Sequence, residues 1–186
     1  MLPVPRHEQL LHRADPQRPS GDHLLIDVRP ARAEEAEALA ELQRHASLAA
    51  LGHIFPPDLY PFPIDDVRER WRAALADPAA RIVVAEVDGA RVGLACVRAD
   101  WLDGLYVIPE WWRKGVGSAL HDHALSLVER LGSRRCHLWV LEHNNRARRF
   151  YERRGWRENG ETRVVPFPPN PLDVGYTIDL ESRMAG

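Results

Sequence analysis

The segment Val107-Ile108-Pro109-Glu110-Trp111-Trp112-Arg113-Lys114-Gly115-Val116-Gly117-Ser118-Ala119-Leu120 holds the residues whose types and spacing speak most directly of chemistry. An extended run ends at a proline, a basic pair follows, and two glycines one residue apart open a helical pattern. Such a turn is an anion trap. The first turn of a helix presents backbone N–H groups with no intrahelical partner, and the helix dipole adds partial positive charge there. Gly115 and Gly117 let phosphate approach the backbone with no Cβ in the way. Arg113 and Lys114 add full charges beside them.

Two other phosphate-binding patterns fit less well. The loop of nucleoside triphosphatases needs GxxxxGK[ST], whereas here the lysine precedes the glycines. The dinucleotide fingerprint GxGxxG would need glycine where Leu120 stands, together with an acidic residue ending the next strand, where Glu142 lies. A glycine-rich helix start that only turns the chain is the third option.

The second cluster is Leu138-Trp139-Val140-Leu141-Glu142-His143-Asn144-Asn145-Arg146-Ala147-Arg148-Arg149-Phe150-Tyr151-Glu152-Arg153-Arg154-Gly155-Trp156. A V-x-P strand end, a G-x-G helix start, and then N-x-x-A-x-x-F-Y-x-x-x-G-W in this order resemble the GNAT superfamily of N-acetyltransferases. The likeness is strong over residues 82–156 and rests elsewhere on element order. Trp112 departs from the Gln or Arg that the family often carries there, though backbone amides do most of the phosphate work.

The resemblance implies acetyl-CoA as cosubstrate and direct transfer of its acetyl group to a primary amine in a ternary complex. It implies that the backbone of Leu105, Tyr106 and Val107 pairs with the pantetheine arm where the central strands splay. Arg113, Lys114, Gly115, Val116, Gly117 and Ser118 would hold the pyrophosphate. Asn144, with Ala147 on the same helix, would fix the cofactor near the second strand, and Tyr151 would face the thioester sulfur. The Val107 N–H would meet the developing oxyanion. A phenol near pKa 10 is a weaker acid than a thiol near 8.5, so hydrogen bonding by Tyr151 to the leaving thiolate is the expectation, rather than full proton transfer. A core aromatic on a face shared with Ala147 and Phe150 is the alternative for Tyr151.

A lysine-type acceptor, with pKa about 10.4, is almost wholly charged at pH 7 and needs a base. Asp103, four residues before Val107, stands where the family often has one, and strict alternation would put it on the face of Leu105 and Val107. It could equally be a turn residue in Asp103-Gly104. Glu142 and His143 are weaker candidates. The acceptor pocket is expected at residues 53–63, with Phe55, Tyr60 and Phe62 as walls and Asp58 or Asp65 attracting a cation; aromatic packing under a proline-stiffened loop is the alternative there. His121 and His123, two apart on a helix, face different ways, so no metal is expected.

The elements that must position these groups follow from periodicity. Residues 1–22, with four prolines and no periodicity, read as a flexible tail, and residues 23–186 as a single domain. A short strand over 24–29 precedes helices over 33–51 and 65–76. Asp88-Gly89 marks a hairpin between strands 81–87 and 90–98, and a third strand follows at 102–108. A helix over 115–131 turns Val116, Leu120, Leu127 and Leu131 inward. The strand 136–141 is expected to be central, a helix over 145–154 follows, and two strands close the chain. The fold class is α+β. With the resemblance it becomes one mixed, mostly antiparallel sheet of six to seven strands, splayed at its centre and flanked by about four helices.

Composition sets outer limits. The 186 residues carry a formal net charge of −2, so no global positive field draws the chain to nucleic acid or anionic membrane. Of 25 basic residues only Lys114 is lysine. Cys96 and Cys136 sit in apolar runs and read as buried free thiols. The N-terminus has no signal-like apolar core and no 18-residue apolar stretch occurs, so a cytoplasmic enzyme is expected. Its partner would be a small-molecule or peptide amine, with a homodimer possible because dimers are common among similar proteins. A non-catalytic acyl-CoA-binding module is the main rival, and a nucleotide-phosphate binder the third reading.

Overall fold

In the computed structural model, which describes residues 25–181, Asp88 (φ 51°) and Gly89 (φ 76°) both lie in the left-handed region. That is the geometry of the tight turn joining β2 (Ala80–Val87) to β3 (Ala90–Arg98). β4 (Trp101–Val107) continues the antiparallel meander, and β1 (Asp27–Pro30) pairs with the far side of β2. The expected tail, residues 1–22, lies outside the described residues. The first strand starts later than the apolar run suggested, because Leu25 is exposed and Ile26 precedes the pairing.

α1 (Ala36–Leu51), entered through a single 3-10 turn, and α2 (Ile64–Ala76) pack on one face of the meander. Their apolar stripe, Leu39, Ala40, Val67 and Trp71, closes on Val84, Leu94 and Cys96. α3 (Val116–Arg130) and α4 (Asn145–Glu152) cover the opposite face, flanking β5 (Arg135–Leu141) in sequence. Gly93 on β3 lets α3 sit close, since a Cβ there would come within 2.8 Å of Leu120 Cδ1 and 2.9 Å of the Tyr106 carbonyl oxygen. Along α3 the buried positions are Val116, Leu120, His121, Ala124, Leu125 and Val128. Leu131, expected inward, is exposed because it falls one residue past the helix, in the turn closed by Gly132 (φ 89°).

β6 (Arg157–Val164) and β7 (Leu172–Asp179) complete a mixed seven-stranded sheet in the order β1-β2-β3-β4-β5-β7-β6. β4 and β5 are its only parallel neighbours among the described strands, and they pair at a single register point, Trp101 with His137. Beyond that point the two strands part. β5 is central as expected. Cys136, Leu138 and Val140 bury one face, while His137, Trp139 and Leu141 half-bury the other. Cys96 and Cys136 are buried free cysteines, and burial pushes both thiols up to about 12.

One charged cluster locks β1 to the start of the helical layer. The Arg29 guanidinium donates two hydrogen bonds to buried Glu35, at 2.9 and 2.7 Å, and one to Glu86 at 2.6 Å. The Arg32 N–H adds a fourth bond, to Glu35, at 2.7 Å. Arg29 foremost, offset in part by burial, holds the Glu35 carboxyl down to about 2. A depressed folded-state value contributes stability above the unfolded value, and that contribution is lost as pH falls through the folded one. Glu35→Gln is therefore expected to cost about 3 kcal/mol at pH 7. The deficit should shrink between about pH 4.5 and 2, as the wild-type carboxyl itself protonates. Denaturant titrations of both proteins across that range check this; a deficit independent of pH would mean the charge is not its source.

Candidate active site

The parting of β4 from β5 creates a slot, and β4 keeps a usable edge along it. Ile108 N–H bonds the Val92 carbonyl on β3 at 3.1 Å. By the alternation of an antiparallel ladder, the N–H groups of Leu105 and Val107 then point away from β3, into the slot. The Val107 carbonyl, which points the same way, accepts from the Trp112 indole N–H at 2.6 Å. The residue that departs from the expected pattern thus fastens the loop to the strand end.

The turn that follows supplies the anion trap. Arg113 (φ 62°) and Gly115 (φ 91°) are both left-handed, so the chain reverses tightly before α3 begins. No side chain caps that helix, which leaves the Val116, Gly117 and Ser118 amides without intrahelical acceptors. Gly117 faces Phe150 and Val107, and a side chain there would grow into the space between them.

A cavity of about 560 Å³ runs from this turn into the slot. It brings together Leu105, Tyr106, Val107, Arg113, Gly115, Gly117, Ser118, Asn144, Ala147 and Tyr151, most of the residues singled out for a cofactor. Two it leaves aside. The Val116 side chain is wholly buried in the core, so only its backbone is available. Lys114 is exposed, with Nζ 4.8 Å from the centre of the Trp111 ring, and does not border the cavity. The cations that do are Arg113, Arg146, Arg153 and Arg154. The Arg146 guanidinium carbon lies 3.1 Å from the centre of the Trp112 ring, and its pKa is lowered by burial and then by the Arg113 charge. Like charges held together in a partly dry cleft favour an anionic occupant. Arg154 hydrogen-bonds Ser118 and covers the Phe150 ring at 4.0 Å. The sequence carries a signal for this lining that motif reading passed over, the run of arginines from 146 to 154.

Tyr151 is buried, with its ring edge-on to Phe150 and Trp156. Among the described residues its hydroxyl makes no hydrogen bond, although Tyr151 borders the cavity. Burial, followed by the neighbouring Tyr106 and Cys136, pushes its pKa well above the usual phenol value. The Asn144 side chain accepts from the Ala147 N–H at 3.2 Å and so caps α4, the helix that presents Tyr151. Asn144→Ala is expected to cost about 1 kcal/mol in thermal or denaturant unfolding. A stability change below a few tenths would show that the cap is not needed.

Two expectations need correction. Asp103 does not share a face with Leu105 and Val107. The register slips where Cys96 meets Gly104 and Val97 meets Leu102, so Asp103 is the extra residue of a bulge and alternation breaks there. Leu105 and Val107 pack with the α3–α4 core, whereas Asp103 borders two smaller cavities on the other face, both shared with Tyr106. Burial raises its carboxyl, partly offset by Arg98 at 3.4 Å. The loop over 53–63, expected to shape the acceptor pocket, borders neither this cavity nor the two smaller ones. Phe55 packs edge-on to Phe167, Phe62 joins the α1–α2 core, Tyr60 is half-buried and Asp58 is exposed. The wall comes instead from Ala46, Ser47, Ala50 and Leu51 at the end of α1.

The acetyltransferase (GNAT) family model matches residues 46–156, more than half of the chain. The chain belongs to the GNAT acetyltransferase family. An uncharacterized N-acetyltransferase of Archaeoglobus fulgidus is 31% identical over 97 residues, covering 46% of this chain and 66% of that protein. The peptidyl-lysine N-acetyltransferase YjaB of Salmonella typhimurium is 28% identical over 150 residues, 78% of this chain and 95% of its own length. The PaiA N-acetyltransferase of Thermoplasma acidophilum, solved with coenzyme A, superposes with a TM-score of 0.64 at 20% identity. That match covers 81% of this chain and 98% of the solved one, and at such identity it speaks for the GNAT fold. The GNAT sheet with its central splay is thus present here. Among the described residues no helix is long and apolar enough to cross a membrane.

Proposed function

We propose that this GNAT-family chain moves an acetyl group from acetyl-CoA to a primary amine by direct attack within a ternary complex. One observation carries the reading: a single cavity joins an uncapped, arginine-flanked helix start to a slot lined by free strand amides and a tyrosine hydroxyl. The residues suit the cosubstrate. Backbone amides at 116–118, with Arg113 and Arg146, would hold the diphosphate, and the edge of Leu105 and Val107 would take the pantetheine amides as an added strand.

When bound, acetyl-CoA supplies an activated thioester carbonyl. The Val107 N–H, which points into the slot, would meet negative charge developing on the carbonyl oxygen. The Tyr151 hydroxyl donates to the sulfur as it leaves. Its raised pKa keeps the phenol protonated, so it acts as a hydrogen-bond donor and not as a full proton source. On the opposite face Asp103, raised by burial, would take the ammonium proton of the acceptor before attack. As the N–C bond forms and the C–S bond breaks, the second proton left on nitrogen would pass to the departing thiolate. Tyr106 lies between the two sides, bordering the large cavity and both smaller ones. The named activity of YjaB toward peptidyl-lysine fits an amine of this kind. Two free thiols fit a reducing compartment such as the cytoplasm.

Calorimetric titration with acetyl-CoA, beside thiol release over a panel of amines, tests the reading. Micromolar binding and amine-dependent thiol release are expected. Binding with no turnover on any amine would leave an acyl-CoA-binding module, and competition by ATP or NAD but not coenzyme A would point to a nucleotide site.

A further inference from the structure

The sheet face opposite α3 and α4 is covered by α1 and α2 only as far as β4, and what lies beyond has a distinct chemistry. Trp101 and Trp139 stack at 5.9 Å with an interplanar angle of 18°, and His137 continues the row at 5.3 Å from Trp101. The Arg163 guanidinium sits 4.6 Å over the Trp139 ring and bonds buried Asp173 at 2.9 Å. A cavity of about 480 Å³ is bounded by both indoles, Asp103, Tyr106, Arg163 and Asp173. Arg163 is more than half exposed and comes from the edge strand β6, so an arriving cation would displace it toward solvent. What stays is a floor of indole faces between two carboxylates, the combination that attracts a cation with an apolar stem.

The acceptor amine must be neutral when it attacks, so a site that selects a cation recognises a second charge on the same molecule. We infer that the acceptor is an aliphatic diamine: one amine lies by Asp103 and Tyr106 for transfer, and the other stays charged over Trp139 beside Asp173. Arg163 is then a built-in stand-in for that second cation. This rests on the acetyltransferase reading and names its acceptor class.

The test compares 1,5-diaminopentane with 1-aminopentane by calorimetry on the coenzyme A complex, and follows thiol release with acetyl-CoA separately. The diamine is expected to bind about 10-fold tighter or more. Trp139→Leu should abolish the preference and Trp139→Phe should keep most of it, with unchanged circular dichroism in both. Arg163→Gln should tighten the diamine several-fold by removing the internal competitor, a sign that loss of packing does not produce. Equal affinity for the two amines, no binding of either, a lysine peptide preferred over the diamine, or weaker diamine binding in Arg163→Gln overturns the inference. Diamine bound in the predicted way with no thiol release would instead sink the acetyltransferase reading and leave the groove standing. Equal turnover of both amines would do the reverse.

Discussion

Tyr151→Phe is expected to lower kcat about 10²-fold while leaving acetyl-CoA affinity within about threefold. The phenol borders the cavity, and among the described residues its hydroxyl has no hydrogen-bond partner, so it is available to a group that arrives with the ligand. A factor of 10² corresponds to about 2.7 kcal/mol, the size of one hydrogen bond to a charged partner. That bond forms as the thiolate develops, so its loss falls on kcat and not on binding. The phenyl ring retains the edge contacts with Phe150 and Trp156, so the melting temperature should hardly move. Because burial raises the Tyr151 pKa, the hydroxyl stays protonated through the alkaline range. Wild-type activity should therefore show no decline between pH 8 and 10 that the mutant lacks. Single-turnover acetyl transfer at near wild-type rate in Tyr151→Phe would remove the tyrosine from the mechanism.

Much of this site was legible in the sequence because it depends on local features. A proline-ended strand, two glycines and a helix start determine the turn at 113–118 within a few residues, and the spacing from Asn144 to Tyr151 is set by one short helix. What escaped depends on register and on long-range packing. Asp103 changes face through a bulge opposite Cys96 and Val97, a one-residue slip that alternation along β4 alone does not reveal. The cavity wall formed by Ala46, Ser47, Ala50 and Leu51 consists of helical residues whose exposure to the slot is decided by how α1 crosses the sheet. Aromatic content drew attention to residues 53–63 instead, yet Phe55 and Phe62 have packing partners that lie far away in sequence or under another helix. Lys114 attracted notice as the single lysine, but its position on the outside of the turn hands its task to arginines.

Those arginines give the second large expected effect. Arg146→Gln should weaken acetyl-CoA binding about 30-fold, and Arg113→Gln about 10-fold, within the range for charged hydrogen bonds lost from a partly buried partner. Neither change should lower the stability of the free protein. Arg146 is held in its charged form against both burial and the Arg113 charge, so neutralising it relieves a cost that folding bears without the ligand. Its melting temperature is therefore expected to hold or rise by a degree or two, while the stabilisation conferred by saturating acetyl-CoA falls. Opposite movements of free and bound proteins separate this account from a packing role through the Trp112 stack, which would lower stability in both. Salt gives the independent check: wild-type affinity should weaken steeply between 50 and 300 mM NaCl, and Arg146→Gln more shallowly, because one fewer cation meets the diphosphate. Equal salt slopes for the two proteins would show that Arg146 holds Trp112 in place and leaves the phosphates to the amides of the helix start.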